Sequence, residues 1–368
     1  MIAHQNVIAQ CLQVRQISPP DLTKILAVLP LFHSKSSDSL WAPKPLTTVV
    51  TGLVHGLHLP VLLNAEVYML PAFTMEAMLD TIVKYQLREL LLVPPILIRL
   101  VRDPIVDKYD LSHVRRFSSG AAPVSEEIIQ LLQKKFPQTG FKQGYGMTES
   151  CSCITAHPPE KYDYKYAHAV GTIVANTEVK IIDLDGGELG LNQPGEILAR
   201  GPQCVMGYLN NPKATAETFD SDGWLHTGDQ GVIDEEGLLT ITDRIKEMIK
   251  VKGIGVAPAE LEDLLLGHPK VEDVAVLALK DEYAGEKPKA FVVPKGGKEK
   301  GDKALGMELI KYVQERKVRH KWITEVEFVG EIPKSASGKI LRRVLKNKAS
   351  GADQETIVRD DVTEKAKL

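Results

Sequence analysis

Between residues 185 and 237 the chain is cut at short intervals by turn-forming clusters. These are Asp185-Gly186-Gly187, Asn192-Gln193-Pro194-Gly195, Asn210-Asn211-Pro212, Asp222-Gly223 and Glu236-Gly237. Chain punctuated so often has no room for long helices. The runs between the turns, 179–182, 196–200 and 238–242, predict short strands, so residues 170–245 are expected to form a β-rich subdomain. Upstream the texture differs. Leu90-Leu91-Leu92-Val93 is a buried-strand run, and Pro94-Pro95 opens a helix toward Val101. Residues 125–136 form an amphipathic helix with an acidic first turn, which suits the positive end of a helix dipole. Short strands alternating with helices predict a layered α/β domain.

From residue 243 a second unit is expected. It has helices at 259–266, 305–315 and 339–346 and strands at 271–279, 289–293 and 325–329, a small α+β domain with an exposed Gly/Lys-rich loop at 294–303. Residues 348–368 are polar and charged and are expected to be disordered. The domain boundaries are therefore placed at 1–243, 244–347 and 348–368. The 368-residue length fits this count at about 150 residues per domain.

Several classes are excluded. A net charge of -3, from 45 basic and 48 acidic residues, leaves no basic footprint for nucleic acid. Four cysteines are too few for a disulfide-stapled scaffold. No apolar run is long enough to span a membrane, and Met1-Ile2-Ala3-His4 lacks the basic and apolar regions of a signal peptide. The chain closes on Ala366-Lys367-Leu368, a variant of the Ser-Lys-Leu address read by the peroxisomal import receptor. Peroxisomal localisation is therefore expected, with the cytoplasm as the alternative.

Four clusters carry chemistry. Gln143-Gly144-Tyr145-Gly146-Met147-Thr148-Glu149-Ser150 combines glycines that let backbone approach a ligand, a flat aromatic face, a hydroxyl, and a hard carboxylate suited to Mg²⁺. Gly223-Trp224-Leu225-His226-Thr227-Gly228-Asp229 ends in a carboxylate that can accept two vicinal ribose hydroxyls. Asp243-Arg244-Ile245-Lys246-Glu247-Met248-Ile249-Lys250-Val251-Lys252-Gly253 places four cations at the domain junction. Pro333-Lys334-Ser335-Ala336-Ser337-Gly338-Lys339 resembles a phosphate loop, but Ile340 stands where a Walker motif needs a hydroxyl. Taken singly, each also reads as a turn, a hairpin, a solvated strand or a loop. Cys151, Cys153 and His157 as zinc ligands are set aside, because no fourth ligand lies nearby.

The order and spacing of the four clusters resemble the adenylate-forming superfamily, and within it acyl-CoA synthetases of the 4-coumarate–CoA ligase-like type. Gly195-Glu196-Ile197, Gly207-Tyr208 and Val256-Ala257-Pro258-Ala259-Glu260 extend the resemblance over residues 1–347. It implies a large multi-layer αβ N-terminal domain with a β-rich subdomain, present here as a remnant, and a small mobile C-terminal domain. It further implies ATP-dependent activation of a carboxylic acid through an acyl-adenylate, then transfer to coenzyme A. The acid is expected to be aryl, phenylpropanoid-like or medium-chain.

By the same resemblance Tyr145 stacks on adenine, with Gly120-Ala121-Ala122-Pro123, Gln143, Gly144 and Gly146 lining the pocket. Thr148 meets the α-phosphate, Glu149 holds Mg²⁺, and Asp229 and Arg244 hold the ribose of ATP or AMP. Lys246 is the hinge, and Lys339 stabilises the adenylation transition state. After rotation Lys250 enters the site and Lys252-Gly253 meets CoA, while His33 flanks the acyl group.

Three departures stand out. The Ser/Thr/Gly-rich phosphate-gripping loop ending Pro-Lys is expected just ahead of Met1. Without it, and without the first ~200 residues of a typical member, ATP-dependent activity is expected to be largely lost, since such catalysis is positioning and charge stabilisation. Residues 34–50 interrupt the Phe32-His33 motif and suggest an unspliced intron, with a genuine surface loop as the alternative. Gly255 replaces a glutamine frequent in the family. The alternatives are a catalytically impaired fragment and an adenylating enzyme that uses another acceptor.

Overall fold

The computed structural model describes residues 1–28, 52–70, 73–120, 124–245, 247–281, 283–334, 340–349 and 357–359. His33, the 34–50 insertion, Ala121-Ala122-Pro123, Lys246, Lys339 and Ala366-Lys367-Leu368 lie outside the described residues. The chain divides into two units, one built from Met1–Val124 and Ile128–Ile241, the other from Thr242–Ser335 and Lys339–Leu368.

The first unit begins with α1 (His4–Gln16), β1 (Lys24–Ala27), α2 (Leu59–Leu63), β2 (Glu66–Met69) and α3 (Met75–Tyr85). It continues through β3 (Glu89–Leu92), α4 (Pro94–Arg102), β4 (Arg116–Ser119) and α5 (Glu126–Lys135) to β5 (Gly140–Met147), β6 (Ser152–Ala156) and β7 (Thr172–Ile173). The apolar run expected at residue 90 is β3, the edge of a five-stranded sheet ordered β3-β4-β5-β6-β7. β3, β4 and β5 run parallel, in register through Leu90, Phe117 and Phe141, all fully buried. Parallel strands joined by helical crossovers are covered on both faces, which explains an unbroken apolar run. Pro94 opens α4, where a missing N–H costs nothing. Ile96, Leu97 and Leu100 turn inward, each contributing about 1.5–3 kcal/mol by burial.

α1 buries an unusual stripe, the polar Asn6, Gln10 and Gln13, spaced to share one helix face. They act as backbone clamps. Asn6 donates to the carbonyls of Pro202 and Cys204 (2.9 and 2.7 Å), Gln13 donates to Ala175 (2.7 Å), and Gln10 accepts from the Cys153 amide (2.7 Å). The β-rich region is an antiparallel sheet of β8 (Glu178–Ile182), β9 (Gly195–Arg200), β10 (Leu225–Ile233) and β11 (Leu239–Arg244), with α6 (Pro212–Thr218) before β10.

The second unit holds β12 (Ile249–Val251), β13 (Ile254–Val256), α7 (Pro258–Leu266), β14 (Val271–Asp281), β15 (Gly285–Pro294), α8 (Lys303–Gln314), β16 (Glu325–Phe328), α9 (Arg342–Ala349) and β17 (Ile357–Arg359). Two expectations need correction here. The last helix starts at Arg342 rather than 339, because Ile340 forms a β-bridge with Lys334. Residues 348–368 are not wholly disordered, since β17 pairs antiparallel with β16 at the sheet edge. Its alternation buries Val358 against Gly306 of α8 and leaves Arg359 to pair with Glu325 at 2.9 Å. A Cβ on Gly306 would stand 2.6 Å from Val358, so the glycine is what lets the helix close on this strand.

This packing makes the end of the chain testable. Val358→Asp buries an unpaired carboxylate and is expected to lower unfolding free energy by at least ~3 kcal/mol. A disordered segment would tolerate the change within about 0.5 kcal/mol, and urea denaturation distinguishes the two.

Candidate active site

β5 carries Gln143 through Met147 out of the parallel sheet, turns at Thr148–Ser150, and returns as β6. Gly120 follows the neighbouring β4, and a Cβ there would lie 3.6 Å from the Gly144 carbonyl. Both sit at the carboxyl ends of parallel strands, where open α/β sheets bind ligands. The returning strand lies so close that a Cβ on Gly146 would stand 1.5 Å from the Ser152 carbonyl oxygen. Cys151 (φ 49°) and Ser152 (φ 112°) complete this reversal with positive φ. Such backbone costs about 1–3 kcal/mol per residue and persists where surrounding structure enforces it.

Asp229 reaches the same place from the β-rich sheet. The β9–β10 register breaks between His226 and Gln230, and Gly228 takes φ +70°. A bulge re-aims the side chain beside it. Thr227 fixes the bulge, donating to the Ile197 carbonyl (2.7 Å) and accepting from the Asp229 amide (3.1 Å). Asp229, buried, then accepts a hydrogen bond from the Tyr145 hydroxyl at 2.7 Å. Two clusters 84 residues apart therefore meet: a half-buried aromatic ring beside a carboxylate.

Thr148 is exposed at the turn, next to Glu149. Tyr208 donates its hydroxyl to Glu149 Oε1 at 2.5 Å, and the Val205 amide donates to the Glu149 carbonyl at 2.8 Å. Burial and the neighbouring carboxylate push the Tyr208 phenol up. Sequence reasoning recorded Gly207-Tyr208 without giving Tyr208 a role, and only the tertiary contact supplies one. The donors at this turn are hard oxygens. Among the described residues no group of three or more His, Cys, Asp or Glu could enclose a metal. One carboxylate with a hydroxyl and open space suits Mg²⁺, which keeps waters and shares substrate phosphates. The residues present fit that ion.

Some candidate side chains serve the scaffold. Gln143, buried, donates its side-chain amide to the Ala167 carbonyl at 2.6 Å. Its backbone amide donates to His157 Nδ1 at 2.9 Å, while His157 Nε2 lies 3.1 Å from the Tyr166 carbonyl. Both His157 nitrogens are thus engaged by backbone. Burial lowers its pKa to about 4. His55, beside Ser152 (3.2 Å), is also lowered to about 4, by burial first and then by Lys142.

Arg244, Lys250, Lys252 and Gly253 belong to the second unit. Arg244 lies 3.9 Å from Glu247. β12 and β13 pair through a two-residue turn, Lys252 (φ 51°) and Gly253 (φ 81°), that presents exposed Lys250 and Lys252. The Lys252 ammonium sits 4.1 Å from the Tyr283 ring centroid. Gly255 faces Lys250 across the hairpin, and a Cβ there would stand 2.1 Å from the Met248 terminal methyl. Met248 occupies the space a longer side chain at 255 would need.

Comparisons with known proteins place the chain in a family. Residues 1–209 match the AMP-binding enzyme family, and residues 260–339 match the AMP-binding enzyme C-terminal domain. The chain is 43% identical to 4-coumarate-CoA ligase 2 of Narcissus pseudonarcissus over 89% of this chain and 54% of that protein. It is 42% identical to 4-coumarate–CoA ligase 1 of Arabidopsis thaliana over 95% and 60%. It thus spans little more than half the length of these relatives. Among solved structures, the o-succinylbenzoate coenzyme A synthetase of Bacillus subtilis in complex with ATP and magnesium ion superposes with TM-score 0.77 at 27% identity, over 94% of this chain and 66% of that one. ATP-bound MatB of Rhodopseudomonas palustris gives TM-score 0.80 at 26% identity, over 95% and 64%.

Two outcomes follow from the site's construction. Gly146→Ala forces β5 and β6 apart and is expected to cost at least ~2 kcal/mol of unfolding free energy, on the scale of overpacking a tight core, as measured by urea denaturation. His157 and His55 are held neutral when folded, so their contribution is complete above pH 6.5 and is lost as pH falls toward 4. In His157→Gln the pH dependence of unfolding free energy over that window is expected to shrink by about one proton. An unchanged slope contradicts this assignment.

Proposed function

The chain belongs to the AMP-binding enzyme family, and on that footing we propose that it handles an acyl-adenylate at the Tyr145–Asp229 site and passes the acyl group to coenzyme A. The reading rests above all on one observation. The Tyr145 ring and the buried Asp229 carboxylate are joined at 2.7 Å at the carboxyl end of the parallel sheet. An adenine can lie on the ring while the ribose hydroxyls donate to the carboxylate. Charge-assisted bonds of this kind contribute about 1.5–3 kcal/mol each.

Thr148 and Glu149 adjoin at the turn that follows β5, and in this proposal they serve the α-phosphate and Mg²⁺. The ion, when bound, neutralises phosphate charge as it develops. Tyr208 keeps the Glu149 carboxylate oriented. The second unit presents Lys250 and Lys252 on the β12–β13 hairpin, and Lys339 follows Lys334 in the sequence. In this proposal Lys339 serves adenylation, Lys246 is the hinge, and Lys250 serves the thioester step with Lys252-Gly253 toward CoA. A domain rotation that exchanges lysines gives each half-reaction its own charge. The acid is proposed to be aryl or phenylpropanoid-like, in keeping with the 4-coumarate–CoA ligase names of the relatives.

A second acceptor class has one specific support. The amide bond synthetase McbA of Marinactinospora thermotolerans superposes with TM-score 0.78 at 27% identity. Supplying 4-coumaroyl-adenylate with CoA or with an amine separates the two, and faster AMP release with CoA is expected.

The direct test is binding of a non-hydrolysable acyl-adenylate analogue by calorimetry. Asp229→Ala is expected to weaken it at least ~10-fold through loss of charge-assisted hydrogen bonds. Affinity unchanged in both Asp229→Ala and Tyr145→Ala would overturn the reading.

A further inference from the structure

The second unit contains a partly buried ion cluster that the nucleotide chemistry above leaves unused. Arg342 is the first residue of α9. The positive end of the helix dipole disfavours a cation there, so something distant holds it. Its Nε donates to Glu247 at 2.7 Å, and its Nη1 donates to Glu262 Oε1 at 2.5 Å and to the Val276 carbonyl at 3.0 Å. Its Nη2 donates to Glu262 Oε2 at 3.2 Å. Glu262, on α7, also accepts from the Val276 amide at 2.8 Å. One guanidinium therefore spans three parts of the fold: α7, β14 and the segment that follows β11.

That segment is the one rich in functional candidates. Glu247 is three residues from Arg244, whose guanidinium faces it at 3.9 Å. Asp243, buried, accepts from the Arg244 amide at Oδ1 (2.6 Å), and its Oδ2 has no hydrogen-bond partner among the described residues. Glu247 and Glu262 thus hold Arg342 directly, and Asp243 precedes Glu247 on the same segment. Burial first, then the neighbouring Glu247 and Glu262, raise Asp243 to about 6 in all, against the Arg244 amide and Arg342. The other side of Arg342 is equally fixed. Ile340 bridges Lys334, and the Leu341 amide donates to the Pro333 carbonyl at 2.8 Å. Lys334 grips both carboxylate oxygens of Asp273 on β14, at 2.8 and 2.7 Å. The stems on either side of residues 335–339 are therefore pinned, one by Lys334–Asp273 and the other by Arg342.

We propose that Arg342 is a positioning residue that locks the 340–342 stem to the 243–247 segment, so that two cation-bearing stretches of the second unit keep one spacing. The catalytic consequence rests on the function proposed above; the mechanical coupling does not. Lysine cannot replace this link, because a single ammonium cannot reproduce a planar fork bonded on three sides.

Hydrogen exchange read by mass spectrometry on the full 368-residue chain tests the coupling. In Arg342→Met, exchange is expected to rise at least ~10-fold in both 243–248 and 333–342, while the β12–β13 hairpin and the β14–β15 ladder stay protected, as local rather than global opening requires. A rise confined to α9, or spread evenly over the unit, overturns the proposal. If Arg342→Met does not fold, Glu247→Ala removes one arm of the fork from outside α9. It is expected to loosen 333–342, and no change there overturns the proposal equally.

The kinetic arm adds a readout that a merely structural role would not move. In Arg342→Met, kcat for thioester formation from supplied acyl-adenylate falls about tenfold or more, since small misplacements of catalytic groups have effects of that size. The KM for CoA stays within about twofold, because the CoA-facing hairpin is intact. Coupled exchange without turnover in the unsubstituted chain would sink the ligase reading and leave the lock standing. Turnover without coupled exchange would sink the lock alone.

Discussion

The hydrogen bond from Tyr145 to Asp229 is the contact around which the first unit is organised. It joins a strand of the parallel sheet to a bulged strand of the antiparallel one, and each side needs its own backbone irregularity. On the Tyr145 side Gly146 must lack a Cβ, because β6 passes too near. On the Asp229 side Gly228 must take positive φ for the bulge to swing the carboxylate inward. Polar residues that usually avoid interiors are used to hold these irregular segments. Asn6, Gln10 and Gln13 clamp loop backbone from a helix, and His157 with Gln143 clamps the 166–169 loop to β5. Buried polar side chains are tolerable when each finds partners, and here the partners are backbone groups that no regular ladder would satisfy.

The second unit solves a different problem, holding several cations on short segments without letting them drift. It does so with ion pairs rather than apolar packing alone. Lys334–Asp273, the Arg342 fork and Lys289 between Glu325 and Glu327 tie loops and edges to the central β14–β15 hairpin. Lys289 and Glu327 are buried, and removing either leaves an uncompensated charge, at a cost of about 3–5 kcal/mol. The ion pairs therefore specify geometry even where their net stabilisation is small.

Much of this was legible in the sequence, and the parts that were not share a cause. β3, α4, α7 and α8 follow from local apolar runs and helical spacing, and the β-rich sheet follows from its turn clusters. The pairing of Tyr145 with Asp229 was implied by a resemblance between ordered motifs, not by the residues taken singly. What stayed hidden depends on distance along the chain. β17 is three residues long, and its partner β16 lies some thirty residues upstream, so no periodicity announces it. Arg342 finds Glu262 and Glu247 at separations of 80 and 95 residues. Tyr208 meets Glu149 across 59 residues. Gln143 sits inside a ligand-facing motif yet commits its side-chain amide to a neighbouring loop, which composition cannot foretell.

The central claim is that separated loops of the first unit fold onto one purine nucleotide. A crystal of the protein soaked with an acyl-adenylate analogue tests it most directly. The account predicts the adenine against the Tyr145 ring and the ribose hydroxyls within hydrogen-bond distance of Asp229. Ordered nucleotide bound elsewhere, with the Tyr145–Asp229 hydrogen bond still free of it, would contradict it.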